Sequence, residues 1–542
     1  MLVRCLENEG VKLVFGIPGE ENINFIDALN GSGIRFILTR HEQGASFMAD
    51  MYGRLTGRAG VCVATLGPGA INLLLGVADA NSDSAPLVAI SAQVGLSRIY
   101  KESHQSVDLV RMFRPATKWA EIVTRAEAIP EMVRKAFKAA QTERPGAVYL
   151  AVPEDVETLA MPAESGPLEI NVVRDMAPSP SQVGRAAQVL RAARSPIVLA
   201  GHGATRACAS EALVRFSERL NVPVATTFMG KGVFPDDHPN ALGAIGFMRR
   251  DYVNFGFDRA DAIVCVGYDL NEFAPLQINP DRSKKIIHIH RYPAEVDAHY
   301  HVAVGLEGDI SQSLDSLAEA LGPAKDAPAP VAKIRALLDR ELEQGASDDS
   351  FPVKPQRVVA EIRRAMGRED VVLVDTGAVK MWMARLYQTY APNTCLISNG
   401  LATMGFALPG ALAVKLAAPE RKVLAVTGDG GFLMNSQELE TAVREKVPFT
   451  VLVWEDCAYG LIKWKMELEL GRHSHCDFTN PDLVAYARSI GVKGYRIKSA
   501  RELLPTLRRA LAQETAALVV CPVDYAENIR LTDKLGALTE RL

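Results

Sequence analysis

The chain has 542 residues, with 60 Lys and Arg against 64 Asp and Glu, for a net charge of −4. That balance supplies no basic field for a polyanion and argues against a nucleic-acid partner. Hydrophobic residues at 48% and charged residues at 23% exclude a disordered chain, and the length allows about three or four domains.

At the start, Met1–Gly10 carries Arg4, Glu7 and Glu9, which suits a helix and not a signal peptide. Apolar strands are then predicted at Leu13–Phe15, Phe36–Leu38, Val61–Ala64, Leu87–Ile90 and Ala147–Val152. Met161–Ser181 is rich in Pro, Glu and Ser and reads as a linker. A second series follows at Pro196–Ala200, Val222–Thr226, Ala262–Val266 and Ile286–His290. The stretch Gly322–Pro330, GPAKDAPAP, reads as a stiff connection, and a charged helix is predicted over Ile334–Glu343. The last series is Val371–Val374, Val423–Thr427, Phe449–Trp454 and Ala517–Val523.

Each series alternates apolar strand, Gly- or Asp-bearing turn and amphipathic helix. The fold class expected is therefore α/β, with three domains at 1–165, 175–325 and 350–542, each built on a mostly parallel sheet flanked by helices. No run reaches the ~18 apolar residues of a membrane span, so no membrane association is expected. The eight cysteines form no CxxC pair, and several lie in strand-like runs, as Cys265 does. Buried free thiols in a reducing cytosol, and a cytoplasmic location, are expected. The cluster His473-Ser474-His475-Cys476 has no second ligand group at a set spacing and reads as a surface loop.

The strongest local signal is Val423–Thr427 running into Gly428-Asp429-Gly430-Gly431, with a helix expected through Glu438 and Glu440. Ligands of open α/β sheets bind at such strand ends. The glycines admit close backbone approach, and Asp429 offers an oxygen ligand suited to Mg²⁺ beside a diphosphate. The next strand ends at Asp456, 27 positions later. Two carboxylates at adjacent strand ends either hold a cation between them or stand as solvated loop acids.

This pair resembles the metal–diphosphate motif of thiamine diphosphate enzymes. The first segment agrees independently, in order: Gly16-Ile17-Pro18-Gly19, His41-Glu42-Gln43-Gly44-Ala45, Ala49-Asp50-Met51-Tyr52-Gly53-Arg54 and Leu66-Gly67-Pro68-Gly69-Ala70-Ile71-Asn72 resemble that family's pyrimidine-binding domain. The resemblance covers essentially the whole chain. Ser103–Asp108, Gly267-Tyr268-Asp269, Ile397–Gly400, Pro522–Tyr525 and Asp456 itself resemble the catabolic, FAD-independent acetolactate synthases. The domain order implied is pyrimidine-binding, central, and diphosphate- and metal-binding.

The resemblance implies thiamine diphosphate and Mg²⁺ as cofactors and pyruvate as substrate. Glu42 would hydrogen-bond the aminopyrimidine N1′ atom and so activate the cofactor, and Gln105, 63 positions later, would face the reaction centre. Asp429, Asp456 and the Ala458 carbonyl would hold the metal. Ile17, Pro18, Gly19, Pro68, Asn72, Gly377, Ala378, Ala402, Met404, Gly428, Gly430, Gly431, Tyr459, Gly460, Leu461 and Ile462 match cofactor-contacting positions, Met404 as the apolar prop of the bent cofactor. In this family the first and third domains of different subunits meet around the cofactor, which implies a homodimer at minimum, with a homotetramer open. The implied reaction is decarboxylation of pyruvate and carboligation to a second pyruvate, giving 2-acetolactate. The neutral amide of Gln105 suits carboligation over simple decarboxylation.

Some residues depart from the pattern. Val379 stands where related synthases carry His, Ile71 replaces a common Thr, and Lys465 falls where anabolic relatives keep a Trp, with Trp464 one position away. The chain begins within a helix that relatives start earlier, for which a start placed too late is one explanation. The central domain has no G-x-G-x-x-G run, and FAD is not expected. Another thiamine diphosphate-dependent 2-oxo acid decarboxylase or carboligase, and a catalytically silent relative, are the alternatives; Glu42, Asp429 and Asp456 together speak against the second.

Overall fold

The computed structural model describes residues 1–162, 164–171, 175–246, 251–323 and 331–528. Most of the Pro-rich stretch 322–330 and the last 14 residues of the third expected domain lie outside the described residues. Among the described residues, eighteen strands form three six-stranded parallel sheets. The first contains β1 Leu13–Gly16, β2 Arg35–Leu38, β3 Gly60–Ala64, β4 Leu87–Gln93, β5 Trp119–Ile122 and β6 Ala147–Pro153, in the order β2-β1-β3-β4-β6-β5. The second contains β7 Pro196–Ala200, β8 Val224–Thr227, β9 Ala241–Ile245, β10 Ala262–Val266, β11 Lys285–His290 and β12 Val302–Glu307, in the order β12-β11-β10-β7-β8-β9. The third contains β13 Val371–Val374, β14 Cys395–Ile397, β15 Val423–Gly428, β16 Thr450–Glu455, β17 Lys493–Arg496 and β18 Ala517–Pro522, in the order β14-β13-β15-β16-β18-β17.

The central strands are legible because helices cover both faces, so every residue of β3, β4 and β6 is buried and the runs are apolar apart from Ser91 and Gln93 near the end of β4. Five strands escape the sequence reading: β5, β9, β12, β14 and β17. All are sheet edges. The edge strand β17, Lys493-Gly494-Tyr495-Arg496, buries none of its residues fully, and β14 has only three residues. The helix expected to run from Asp429 through Glu440 is two helices, Asp429–Asn435 and Glu438–Arg444. Its break coincides with a tertiary tie, the Asn435 amide donating to the Gly405 carbonyl at 2.8 Å.

The first and third sheets share one apolar core. The helix Glu42–Thr56 packs on the helix Ala407–Ala417, and Phe47, Met48 and Met51 join Phe406, Leu408 and Leu412 in a single buried cluster. The Phe47 and Phe406 rings meet edge to face, 6.5 Å between centroids. The central sheet keeps its own clusters on either face. Six cysteines are buried free thiols, as expected, whereas Cys208 and Cys457 are exposed. The His473 imidazole lies between Glu467 and Asp477, at 2.8 and 3.1 Å, in partly exposed ion pairs. No helix of the described residues is long and apolar enough to cross a membrane.

Candidate functional site

The site residues stand at the carboxyl ends of the parallel strands, in two clusters. In the first domain, β2 leads to His41, whose extended backbone and Nδ1 atom, accepting from the Gln43 N–H at 3.0 Å, start the helix at Glu42. Glu42 is half-buried, and its Oε2 accepts from the Asn72 amide at 3.0 Å. Asn72 belongs to the helix Pro68–Ser82, which starts with a proline where no N–H is needed. Gly67, at φ +50°, allows the loop after β4 to rest on this turn: a Cβ there would stand 2.5 Å from the Gln105 carbonyl oxygen. Glu42, Pro68, Asn72 and Gln105 are thus one group, with Gln105 exposed at its rim. The Ile17-Pro18-Gly19 turn lies beside it, Ile17 N–H bonding the Val63 carbonyl at the end of β3.

In the third domain, Asp429 is 1% exposed at the first position of its helix. Its Oδ2 accepts from the N–H groups of Asp456 and Cys457, at 3.2 and 2.8 Å, and from the Asn480 amide at 2.7 Å. The ends of β15 and β16 are therefore side by side. Burial and then the neighbouring Asp429 charge push the Asp456 carboxyl up to about 7, and burial raises Asp429. Gly377 and Gly428 precede the helices Ala378–Leu386 and Asp429–Asn435, and a Cβ at either would meet nothing within 4 Å. The Tyr459 ring covers Gly430, whose Cβ would lie 2.9 Å away. Gly460, Leu461 and Ile462 begin the next helix, Gly460–Leu470, with Ile462 half exposed. Ala402, at φ +55°, and the half-buried Met404 occupy the loop after β14.

This donor set fits a cation and a diphosphate. Two partly desolvated carboxylates repel each other, which a divalent ion relieves. The Asn480 Oδ1 atom beside them is buried with no hydrogen-bond partner among the described residues. Open space borders two helix starts, where backbone N–H groups favour anions. Among the described residues no group of three His, Cys, Asp or Glu converges, so a metal here needs backbone or ligand oxygens to complete its shell.

At these two clusters, three residues escaped the sequence reading. Asp375, fully buried and pushed up to about 6 by burial, accepts from the N–H groups of Thr376 and Gly405 and from Thr427, tying three strand-end turns together. Its signal is an acid directly after the apolar run of β13. Asn480 lies 51 positions beyond Asp429 with no pattern to mark it. Glu438, fully buried, accepts from the N–H groups of Arg40 and His41, at 3.1 and 3.0 Å, and so grips the turn before Glu42 from the third domain of the same chain. Val379 is a core side chain, 1% exposed. Trp464 is buried while Lys465 is exposed.

Comparison with known proteins matches this arrangement. Residues 1–112 match the N-terminal TPP binding domain of thiamine pyrophosphate enzymes, 183–317 the central domain, and 375–521 the C-terminal TPP binding domain. The chain is 36% identical to a probable acetolactate synthase large subunit of Methanocaldococcus jannaschii, over 99% of this chain and 94% of the relative. It is 37% identical to a catabolic acetolactate synthase of Raoultella terrigena, over 99% and 96%. It is 35% identical to an acetolactate synthase of Bacillus subtilis, over 99% and 95%. With one domain series matched in order along the chain and relatives similar over nearly its whole length, the chain belongs to the thiamine pyrophosphate enzyme family.

Proposed function

We propose that the enzyme decarboxylates pyruvate and joins the remaining two-carbon unit to a second pyruvate, giving 2-acetolactate and CO₂, with thiamine diphosphate and Mg²⁺. The observation that carries this reading is the pairing of Glu42 with Asn72 in one cluster and Asp429 with Asp456 in the other, in a chain similar over nearly its whole length to acetolactate synthases, one of them catabolic. Bound thiamine diphosphate supplies the carbon nucleophile and the electron sink for decarboxylation.

The chain's own residues do the rest. Asn72 takes Glu42 Oε2, which leaves Oε1 to share a proton with the aminopyrimidine ring. Asp429, Asp456 and the Ala458 carbonyl hold Mg²⁺, and N–H groups after Gly377 and Gly428 take diphosphate oxygens. Ala402 and Met404 line the cofactor, and Ile17, Pro18, Gly19, Pro68, Tyr459, Gly460, Leu461 and Ile462 complete its walls. Gln105 orients a substrate carboxylate or carbonyl with a neutral amide that has no ready proton to give.

In the central domain the strand order turns between β7 and β10, the place where an open α/β sheet takes a nucleotide. Gly203 N–H bonds the Gly267 carbonyl across that crevice at 2.7 Å, Arg206 pairs with Asp269 in it, and the His290 ring stands 3.4 Å from the same carboxylate. This filling supports an enzyme without FAD; flavin absorption bands in the purified protein count against it. The exposed apolar residues Ile71, Leu75, Leu401 and Met434 flank both clusters and support cover by a second copy, which would bring one chain's first domain to its partner's third. We further propose a cytoplasmic homodimer or homotetramer with domains at 1–165, 175–325 and 350–542.

The test is an assay with pyruvate, Mg²⁺ and thiamine diphosphate, followed by acid conversion of the product to acetoin. Acetoin is expected. CO₂ release without acetoin points to a different carboligase or decarboxylase, and no cofactor binding rejects both readings.

A further inference from the structure

The helix Pro68–Ser82 carries Asn72, the partner of Glu42, near its start and two buried acids at its other end. Asp79 lies in its last turn, Asp83 is the residue that caps it, and both are essentially shut off from solvent. A helix C-terminus is a poor place for carboxylates, and buried ones need donors. Four of theirs come from more than 300 positions away. Asp79 Oδ1 accepts from the hydroxyls of Ser398 and Thr403, at 2.7 and 2.5 Å. Asp83 accepts from the N–H groups of Asn399, at 3.0 Å, and Gly400. Arg54 bridges the acids, at 3.1 Å from Asp79 and 2.7 Å from Asp83, and donates to the Ile397 carbonyl at the end of β14. Lys380 closes the loop from the third domain, its Nζ on the Ser398 carbonyl at 2.8 Å.

All these contacts converge on one loop, Ser398–Gly405. Its backbone is not one the chain adopts freely, since Ala402 has φ +55° and carries a Cβ. Its shape is imposed from outside. The far end is held by the Gly405 N–H on Asp375, at 2.8 Å. Between the two anchors stands Met404.

We propose that Asp79 and Asp83 are positioning residues: from the first domain they set the Ser398–Gly405 loop of the third, and so fix where Met404 stands against the cofactor. The inference rests on the cofactor reading above. One helix then orients the partner of Glu42 at its start and the seat of Met404 at its end.

Thr403→Val removes the hydroxyl that reaches Asp79 and keeps the side-chain shape, whereas Thr403→Ser keeps the hydroxyl. Thiamine diphosphate is titrated calorimetrically into each full-length protein in the presence of Mg²⁺, alongside melting of the cofactor-free forms. Thr403→Val, and Ser398→Ala with it, should weaken binding about tenfold or more, the size of a lost hydrogen bond to a charged acceptor. Thr403→Ser should stay within about twofold. A merely structural role would lower melting temperatures and leave binding alone. Unchanged binding in Thr403→Val and Ser398→Ala, or equal weakening in Thr403→Ser, overturns the proposal. If the unaltered protein binds no thiamine diphosphate, the cofactor reading fails first and takes the inference with it.

Discussion

The first and third sheets have the same strand order, position for position, yet different groups hang from their corresponding ends. After β1 comes the Ile17–Gly19 turn, and after its counterpart β13 come Asp375 and Gly377. After β2 comes Glu42; after β14, the loop with Met404. After β3 come Pro68 and Asn72; after β15, Asp429 and the glycines. After β4 comes the Gln105 loop, and after β16 come Asp456 and Ala458. The scaffold supplies four places in each domain. The residue types decide the chemistry, with a carboxyl–amide pair suited to proton exchange in one domain and a carboxylate pair suited to a cation in the other.

That division of labour can be broken at either end. Glu42→Gln should lower turnover by about 10²–10⁴-fold, the range for a lost acid–base group, while calorimetry shows thiamine diphosphate still binding. Asp429→Asn should do the reverse, weakening Mg²⁺-dependent cofactor binding about a hundredfold or more, because it unbalances a buried charged site. If Glu42→Gln loses binding, or Asp429→Asn keeps it, the two domains do not divide the work this way.

The joint between the domains gives a smaller, pH-dependent effect. Burial pushes the Glu438 carboxyl up to about 7 from its ordinary 4.5. An acid raised on folding stabilises the fold below about 4.5 and loses that contribution as pH rises through 7, a swing of about 3 kcal/mol. Glu438→Gln removes the titration. Urea unfolding should therefore show the variant gaining on the unaltered protein between pH 5 and pH 8; a constant difference would place the Glu438 titration elsewhere. Smallest of all, His473→Ala should change stability by no more than about 0.5 kcal/mol in the same assay, since its ion pairs are partly exposed. A larger loss would mean that the loop after the helix Gly460–Leu470 supports the third-domain cluster.

What was legible in the sequence follows the same physics. Strands covered on both faces declare themselves as apolar runs, whereas β5, with Glu121 in its middle, and β17, with a charge at each end, do not. Glu42 and Asp429 were legible because each is flanked by glycines and apolar strands at short range. Asp375, Asn480, Glu438, Asp79 and Asp83 were not, because their meaning lies in partners far along the chain: Glu438 serves Arg40 and His41, and Asp79 serves Ser398 and Thr403. Single acids in helices look solvated until the fold brings their donors.

The shared core of the two outer sheets has a consequence for how the chain is made. The helix Glu42–Thr56 leaves the ribosome early, but the helix Ala407–Ala417 that covers Phe47, Met48 and Met51 follows only after the whole central domain. At about 5–20 residues per second, that apolar face waits on the order of tens of seconds for its cover. The nascent first domain therefore carries this apolar face uncovered while the central domain is being made, and its sheet gains its last packing partner only when the third domain arrives.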